Sequence, residues 1–357
     1  MKKTFAIIFV CATIISSCSK SSSNNTTTED FNTLETSVLK DFVNKTAIGG
    51  YADLKDKATN FNNVVTALNQ NATDANLAAA QQAWRDMRST WEQCEGYLLG
   101  PVEDDSYDPN MDTWPVDYVQ MDSLLNSSNA LEPSDIALLS TLSLRGYHPI
   151  EYVLWGRDGK RKAADITARQ KKYITSLTTD LKATCAMLYD SWTTTDNYAS
   201  KVLNAGAGTQ PYAKKLDVYV AIVTALADIC GEVGEGKMKE PYDAQDPKIV
   251  ESPFSGNSAT DFKNNIQGAY NVYMGNFLGN QGNGLNKLVA AKNISLDNKI
   301  QQQFAAAISS FNAITLPYEQ AIISQRVQVQ QAMTAIVTLK ATLEGDLMTY
   351  IKTNIKD

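Results

Sequence analysis

Apolar residues recur at helical spacing along nearly the whole chain. Leu77, Trp84, Met87, Trp91, Cys94 and Leu98 follow one another at intervals built from three and four, which is the stripe of one long amphipathic helix. A second stripe runs through Leu216, Val220, Val223, Leu226 and Cys230, and a third through Val329, Met333, Ile336, Leu343, Leu347 and Tyr350. Shorter patterns of the same period cover residues 34–43, 51–68, 164–192, 258–273 and 299–311. No convincing run alternates with period two. The spacing therefore predicts an all-α fold whose long helices, joined by short connections, lie antiparallel in bundles.

The interruptions are few. Residues 100–115 (GPVEDDSYDPNMDTWP) read as a long acidic loop, and residues 279–286 (GNQGNGLN) as a linker. Residues 240–257 hold three prolines and lead into Ser258-Ala259-Thr260-Asp261, which resembles a capping box with Asp in place of Glu. Residues 196–210 are the loosest part of the middle. They divide the chain into an N-terminal bundle, 31–195, and a C-terminal bundle, 196–357. Irregular segments on a rigid helical scaffold are where function tends to sit.

The N-terminus adds a destination. Met1-Lys2-Lys3 is basic, and residues 4–15 form an apolar run too short for a lasting membrane span. The run ends Ile15-Ser16-Ser17-Cys18, which resembles the lipobox of bacterial lipoproteins. On that resemblance residues 1–17 are a cleaved signal peptide and the Cys18 thiol carries the lipid. Residues 18–30 then form a polar tether with nothing to bury. The expected location is the bacterial cell envelope, anchored to a membrane, with the outer membrane expected and a periplasmic or surface-facing orientation.

Composition narrows the partners. A net charge of −7 over 357 residues supplies about two domains and no basic footprint for nucleic acid. Beyond the anchor, Cys94, Cys185 and Cys230 are widely spaced and odd in number, with no Cys-x-x-Cys pair. They read as buried small hydrophobes rather than a disulfide framework.

His148 is the one histidine. Any role that needs imidazole must use it, so multi-histidine zinc sites and histidine-clustered di-iron sites are excluded. It stands in His148-Pro149-Ile150-Glu151. Proline is well placed in a first helical turn and biases its predecessor away from helical geometry, which makes His148 the expected N-cap, Pro149 N1 and Glu151 N3. Glu151 then either closes the cap or converges with His148 on a metal or a substrate proton. On the preceding helix Trp84, Arg88, Trp91 and Glu95 share one face. Arg88 there either pairs with Glu92 or Glu95 or holds an anionic ligand. Glu95 is a candidate third metal ligand or a partner that fixes the imidazole tautomer. Asp108-x-Asn110-x-Asp112 begins like a calcium loop, but Thr113 replaces the turn glycine and Val119 the bidentate glutamate, so an EF-hand is rejected. Glu103, Asp104, Asp105, Asp108 and Asp112 are left as a looser acidic cluster, read mainly as a solvated loop.

The longer run Gly-Tyr-His-Pro-Ile-Glu-Tyr-Val-Leu-Trp-Gly-Arg-Asp, residues 146–158, resembles the imelysin-like family, also called iron-regulated protein A or peptidase family M75, with its Gly-x-His-x-x-Glu hallmark. Trp84, Arg88, Trp91, Glu95, Gly100-Pro101 and Trp114-Pro115 resemble the same family, as do Glu251 to Ser255, Asp261-Phe262, Asn265 and Gly268. Family members more often carry alanine where Pro149 stands, a departure that moves His148 towards a cap. The resemblance implies two related four-helix-bundle halves and a ligand cleft between them. It implies a metal site at His148, Glu151 and Glu95, with Arg88, Trp91, Trp114, Ser255 and Asp261 as ligand-binding residues. The implied ligand is a divalent metal, iron or haem, bound as part of iron uptake with other envelope components. The alternative it implies is a metallopeptidase with His148 and Glu151 as catalytic residues, although no His-Glu-x-x-His is present to supply a two-imidazole zinc clamp.

Overall fold

The computed structural model describes residues 30–208 and 210–356. The expected signal peptide, the anchor at Cys18 and residues 19–29 of the tether lie outside the described residues. Within them the chain is helical almost throughout, as the periodicity requires. The strands among the described residues are Asn276–Phe277 and Asn280–Gln281, a minimal antiparallel pair whose second strand lies in the 279–286 segment read as a linker. That segment also runs into a further helix, Leu285–Lys292, whose Leu285, Leu288 and Val289 are buried.

The N-terminal half is built on α1 (Ile48–Gln70), α2 (Asp74–Cys94), the short α3 (Tyr147–Trp155) and α4 (Ala168–Thr193). Helix α1 packs between α2 and α4, and α3 lies against both α2 and α4. The C-terminal half is built on α5 (Lys215–Gly231), α6 (Ser258–Met274), α7 (Ile294–Ser310) and α8 (Arg326–Thr342), with α8 against α5 and α7, and α6 against α5 and α7. The predicted stripes mostly mark the buried faces: Leu77, Trp84, Met87, Trp91 and Cys94 on α2 are all buried, whereas on α5 Val223, Leu226 and Cys230 are buried but Leu216 and Val220 are only half-buried. Cys94, Cys185 and Cys230 are free and buried.

The halves meet where α2 crosses α6. A Cβ on Gly268 would lie 2.2 Å from the Gln93 carbonyl oxygen, and one on Gly96 would lie 2.6 Å from the Ala269 nitrogen. Only glycine permits backbones so close. A second tie comes from the chain start. Helix Phe31–Asp41 packs on Leu285–Lys292, Asp41 accepts from the Asn283 backbone N–H at 2.7 Å, and Tyr219 donates to the Glu35 carbonyl at 2.6 Å.

Three local expectations differ from what is found. The helical patterns over 34–43 and 51–68 leave 44–50 between them, yet the chain runs on from Phe31–Asp41 through a π-helical turn, Phe42–Ala47, into α1. Gly50 is there for packing, since a Cβ would sit 2.1 Å from the Tyr97 hydroxyl. The acidic loop contains two short helices, Pro101–Asp104 and Tyr107–Asp112. Ser258 is the first residue of α6 rather than its cap, which is Asn257. The Ser258 hydroxyl instead accepts the Ser252 backbone N–H at 2.8 Å.

Candidate metal centre

The start of α3 decides how the lone imidazole is presented. The N-cap is Gly146, at φ 78°, and a Cβ there would lie 1.9 Å from the Met111 carbonyl oxygen. His148 is therefore the second residue inside the helix, not its cap, and Pro149 is the third. Proline is tolerated at that position because the first helical N–H groups have no intrahelical acceptor in any case. Arg145 holds the turn from outside, with its guanidinium on Asp180 of α4 at 2.8 Å. Trp84 donates to the Tyr147 carbonyl at 3.2 Å. With two more residues in the helix than expected, His148 and Glu151 are still one turn apart, but they serve different partners.

His148 is fully buried. Its Nε2 lies 3.0 Å from Asp112 Oδ1 and 3.9 Å from Glu251 Oε1. Neither ring nitrogen has an aligned hydrogen-bond partner, although the Asp112 oxygen is near enough. The Trp114 ring lies against the imidazole at 4.9 Å. Asp112 is fixed by Trp91, whose indole N–H donates to Oδ2 at 2.7 Å, and by a contact with Arg88 Nη1. Glu251 comes from the proline-rich segment of the other half.

Arg88 is the hub. Its Nη2 lies 2.6 Å from Glu92 Oε1 and 2.7 Å from Glu251 Oε1, and its Nε lies 3.8 Å from Asp261 Oδ1. Burial alone would lower its pKa, but Asp112, Glu92, Asp261 and Glu251 outweigh that and hold the guanidinium well above its ordinary value. Glu95 completes the cluster: Asn265 Nδ2 donates to it and to Glu92, each at 2.6 Å. Lys237 Nζ lies 3.0 Å from Glu232, 3.3 Å from Glu251 and 3.7 Å from Glu95.

Five buried carboxylates, Glu92, Glu95, Asp112, Glu251 and Asp261, thus meet two cations, Arg88 and Lys237. Were all of them ionised, three negative charges would lack a counter-ion in a buried setting, which is costly. Burial pushes Glu95 well above the usual carboxylate range, with Glu92 adding to the effect. Asp261 is raised well above it for the same two reasons. Asp112 is the opposite case. Burial works to raise it, but Arg88 and His148 overcome that and hold it well below. Asp112 is thereby held in its ionised form beside the imidazole.

Two groupings of donor atoms arise, each within 4.8 Å: Asp112, His148 and Glu251, and Glu92, Glu95 and Asp112. The first mixes one imidazole nitrogen with carboxylate oxygens, a set that suits iron, manganese or zinc. The buried imidazole without an aligned partner fits a metal ligand, because such groups are rarely left unsatisfied. The cluster opens on a cleft of about 850 Å³ between the halves, walled by Asp112 and Trp114 on one side and by Glu232, Lys237 and Glu251 on the other.

Of the residues singled out in the sequence, the structure brings His148, Glu95, Arg88, Trp91, Trp114 and Asp261 into this cluster or its wall. Glu151 and Ser255 belong to a neighbouring contact. Glu151 Oε1 accepts from the Ser255 N–H at 2.7 Å, the Ser255 hydroxyl at 2.6 Å and the Phe254 N–H at 3.1 Å. Glu151 thereby straps α3 to the segment that carries Glu251. Ser252 Oγ and Asn257 Nδ2 bond to Asp261 at 2.7 and 2.6 Å and fix the same segment from α6. Sequence reasoning undervalued Asp112 and did not propose Glu251 or Lys237 as site residues. Asp112 was visible only as one acid among several, and Glu251 only as part of the Glu-Ser-Pro-Phe-Ser block.

Comparison with known proteins agrees with this architecture. The chain is 30% identical over 320 residues to iron-regulated protein A of Synechococcus elongatus, covering 88% of this chain and 86% of that one. A crystal structure from Parabacteroides distasonis, described as an iron-regulated protein A precursor, superposes with a TM-score of 0.81 at 24% identity, over 90% of this chain and 95% of the other. An imelysin-like protein from Psychrobacter arcticum superposes with a TM-score of 0.73 at 15% identity, over 89% and 96%. The peptidase M75 model, described as imelysin, matches residues 47–343, and the chain belongs to the imelysin family.

Proposed function

We propose that this protein binds iron, or a divalent cation of similar chemistry, in the cleft between its halves, as a lipid-anchored component of iron handling in the bacterial envelope. The observation that carries the reading is His148: a fully buried imidazole with no aligned hydrogen-bond partner, beside Asp112 and Glu251. His148, Asp112 and Glu251 would be the ligands, with Trp91 and Arg88 holding Asp112 and Glu151 holding the segment of Glu251. The iron in the name of the Synechococcus relative supports the choice of metal. The lipobox-like Ile15-Ser16-Ser17-Cys18 supports the envelope location.

Binding is favoured over peptide cleavage by the position of Glu151. Its Oε1 already takes three donors from Phe254 and Ser255, which holds the motif's carboxylate as a strut on that segment and leaves only Oε2 without a partner. Titration calorimetry of chelator-stripped protein with Fe2+ in the absence of oxygen, and with Mn2+, tests the reading. Binding near one equivalent, lost in His148→Ala and in Asp112→Asn, is expected. Equal binding by wild type and both folded variants would overturn it.

A further inference from the structure

The turn that follows α5 is unlike the rest of the helix. Residues Glu232–Lys237 form a π-helical turn, and three glycines lie in or beside it, Gly231, Gly234 and Gly236. Wide turns of this kind insert an extra residue and often occur at functional sites. Gly236 is not required by packing, since a Cβ there would meet nothing within 4 Å. A helical glycine with open space around it weakens the turn without filling a need for room. The turn is pinned just beyond its end, where the carbonyl of buried Met238 accepts from the Tyr318 hydroxyl at 2.7 Å. A pliable turn on a fixed base therefore carries Lys237.

The ammonium group of Lys237 stands on the carboxylates a metal ion would use. It is 3.3 Å from Glu251 Oε1, the oxygen that faces His148, and 3.7 Å from Glu95 Oε1. It also has an outer partner, Glu232, at 3.0 Å, and Glu232 is far more exposed, with 45% of its side chain accessible against 3% for Glu95 and for Glu251. Both Lys237 and Glu232 line the cleft. Lysine suits such a place because its charge is compact and its stem flexible, whereas Arg88 is locked by several carboxylates at once.

We propose that Lys237 is a built-in competitor for the metal: its ammonium neutralises Glu95 and Glu251 when no ion is bound and withdraws towards Glu232 when one arrives. Lys237 then sets the affinity of the site, keeping it weak enough to release its cargo. The inference rests on the metal-binding reading above. It adds that the carboxylates are shared between two alternative cations, and that a loss of charge at residue 237 tightens binding.

The test uses the chelator-stripped mature protein with Mn2+, and Fe2+ without oxygen, comparing wild type with Lys237→Met, Lys237→Arg and Glu232→Gln by calorimetry. Removing a unit charge a few ångströms from a divalent ion should tighten Lys237→Met by roughly tenfold or more. Lys237→Arg, which keeps the charge, should show no such gain. Glu232→Gln removes the outer resting place and should weaken binding several-fold. A structural role alone would give weaker binding in Lys237→Met, never tighter. If wild type binds and loses binding in His148→Ala, but Lys237→Met is unchanged or weaker, this inference fails and the metal site stands. If neither wild type nor Lys237→Met binds either ion, both fail. Binding that appears only in Lys237→Met supports the competition directly.

Discussion

Glu151→Ala separates a strut from a ligand. The carboxylate oxygen Oε1 accepts three hydrogen bonds, two of them from the backbone N–H groups of Phe254 and Ser255. Alanine leaves both N–H groups without an acceptor in a half-buried setting, at about 1 kcal/mol each. The lost bond from the Ser255 hydroxyl and the space left by a fully buried side chain add about 1–2 kcal/mol more. The expected loss is thus about 3–4 kcal/mol in urea or thermal unfolding. Burial already raises the pKa of Glu151, so a neutral acceptor is well tolerated there. Glu151→Gln keeps an oxygen in place and should stay within about 1 kcal/mol of wild type. Its Mn2+ affinity should also remain within a few-fold of wild type, while His148→Ala abolishes binding. Two results would refute the reasoning. One is equal destabilisation by alanine and glutamine. The other is a Glu151→Gln protein that is fully stable yet binds metal as poorly as His148→Ala, which would make Glu151 a ligand.

Other parts of the account are open to direct measurement. Gly268→Ala places a Cβ 2.2 Å from the Gln93 carbonyl at the crossing of the halves, and should cost about 3 kcal/mol or prevent folding; an unchanged urea midpoint would contradict that crossing. The buried thiols should resist a disulfide reagent at pH 8 until the protein unfolds. Burial pushes both Cys94 and Cys230 up to about 12 and raises Cys185 too, and prompt reaction in the native state would show a more open core. Glu35 has a pKa raised above its ordinary 4.5, chiefly by burial and despite Lys215. A carboxyl raised in the folded state favours the fold most at pH below 4.5, and that contribution is lost as pH rises through the folded value. Glu35→Gln should therefore remove this part of the pH dependence and gain stability relative to wild type at pH 7; a wild-type curve that instead rises more steeply than the variant's over this interval would reverse the sign.

Much of the fold was legible because its signal is local. Trp84, Met87, Trp91 and Cys94 recur with the helical period and all face the core, as do Val223, Leu226 and Cys230 on α5. What misled the reading were residues whose meaning depends on distant parts of the chain. Gly50 lies between the two helical patterns over 34–43 and 51–68, and it makes room for the Tyr97 hydroxyl inside one continuous helical run. Pro149 looked like N1 because a proline usually opens a helix, yet Gly146, pressed on Met111, sets the start earlier. The site was legible in part for the same reason. His148 stood out as the one imidazole, and Arg88, Trp91 and Glu95 share a helical face that periodicity reveals. Asp112 and Glu251 reach the imidazole only through tertiary structure, one from an acidic stretch that looked solvated and the other from the second half. Glu151 follows from its spacing to His148, but its bonds through Oε1 to Phe254 and Ser255, with Oε2 left unpartnered, depend on a distant segment that spacing does not show.

The central claim is that His148, Asp112 and Glu251 form the metal centre. Crystals grown with Fe2+ or Mn2+ and measured at the absorption edge of the metal test it most directly. The account predicts one strong anomalous peak about 2.0–2.3 Å from His148 Nε2 and from oxygens of Asp112 and Glu251, with Lys237 turned towards Glu232. A peak bound by Glu151, or anomalous signal confined to the outer acidic wall with His148 unligated, would contradict it.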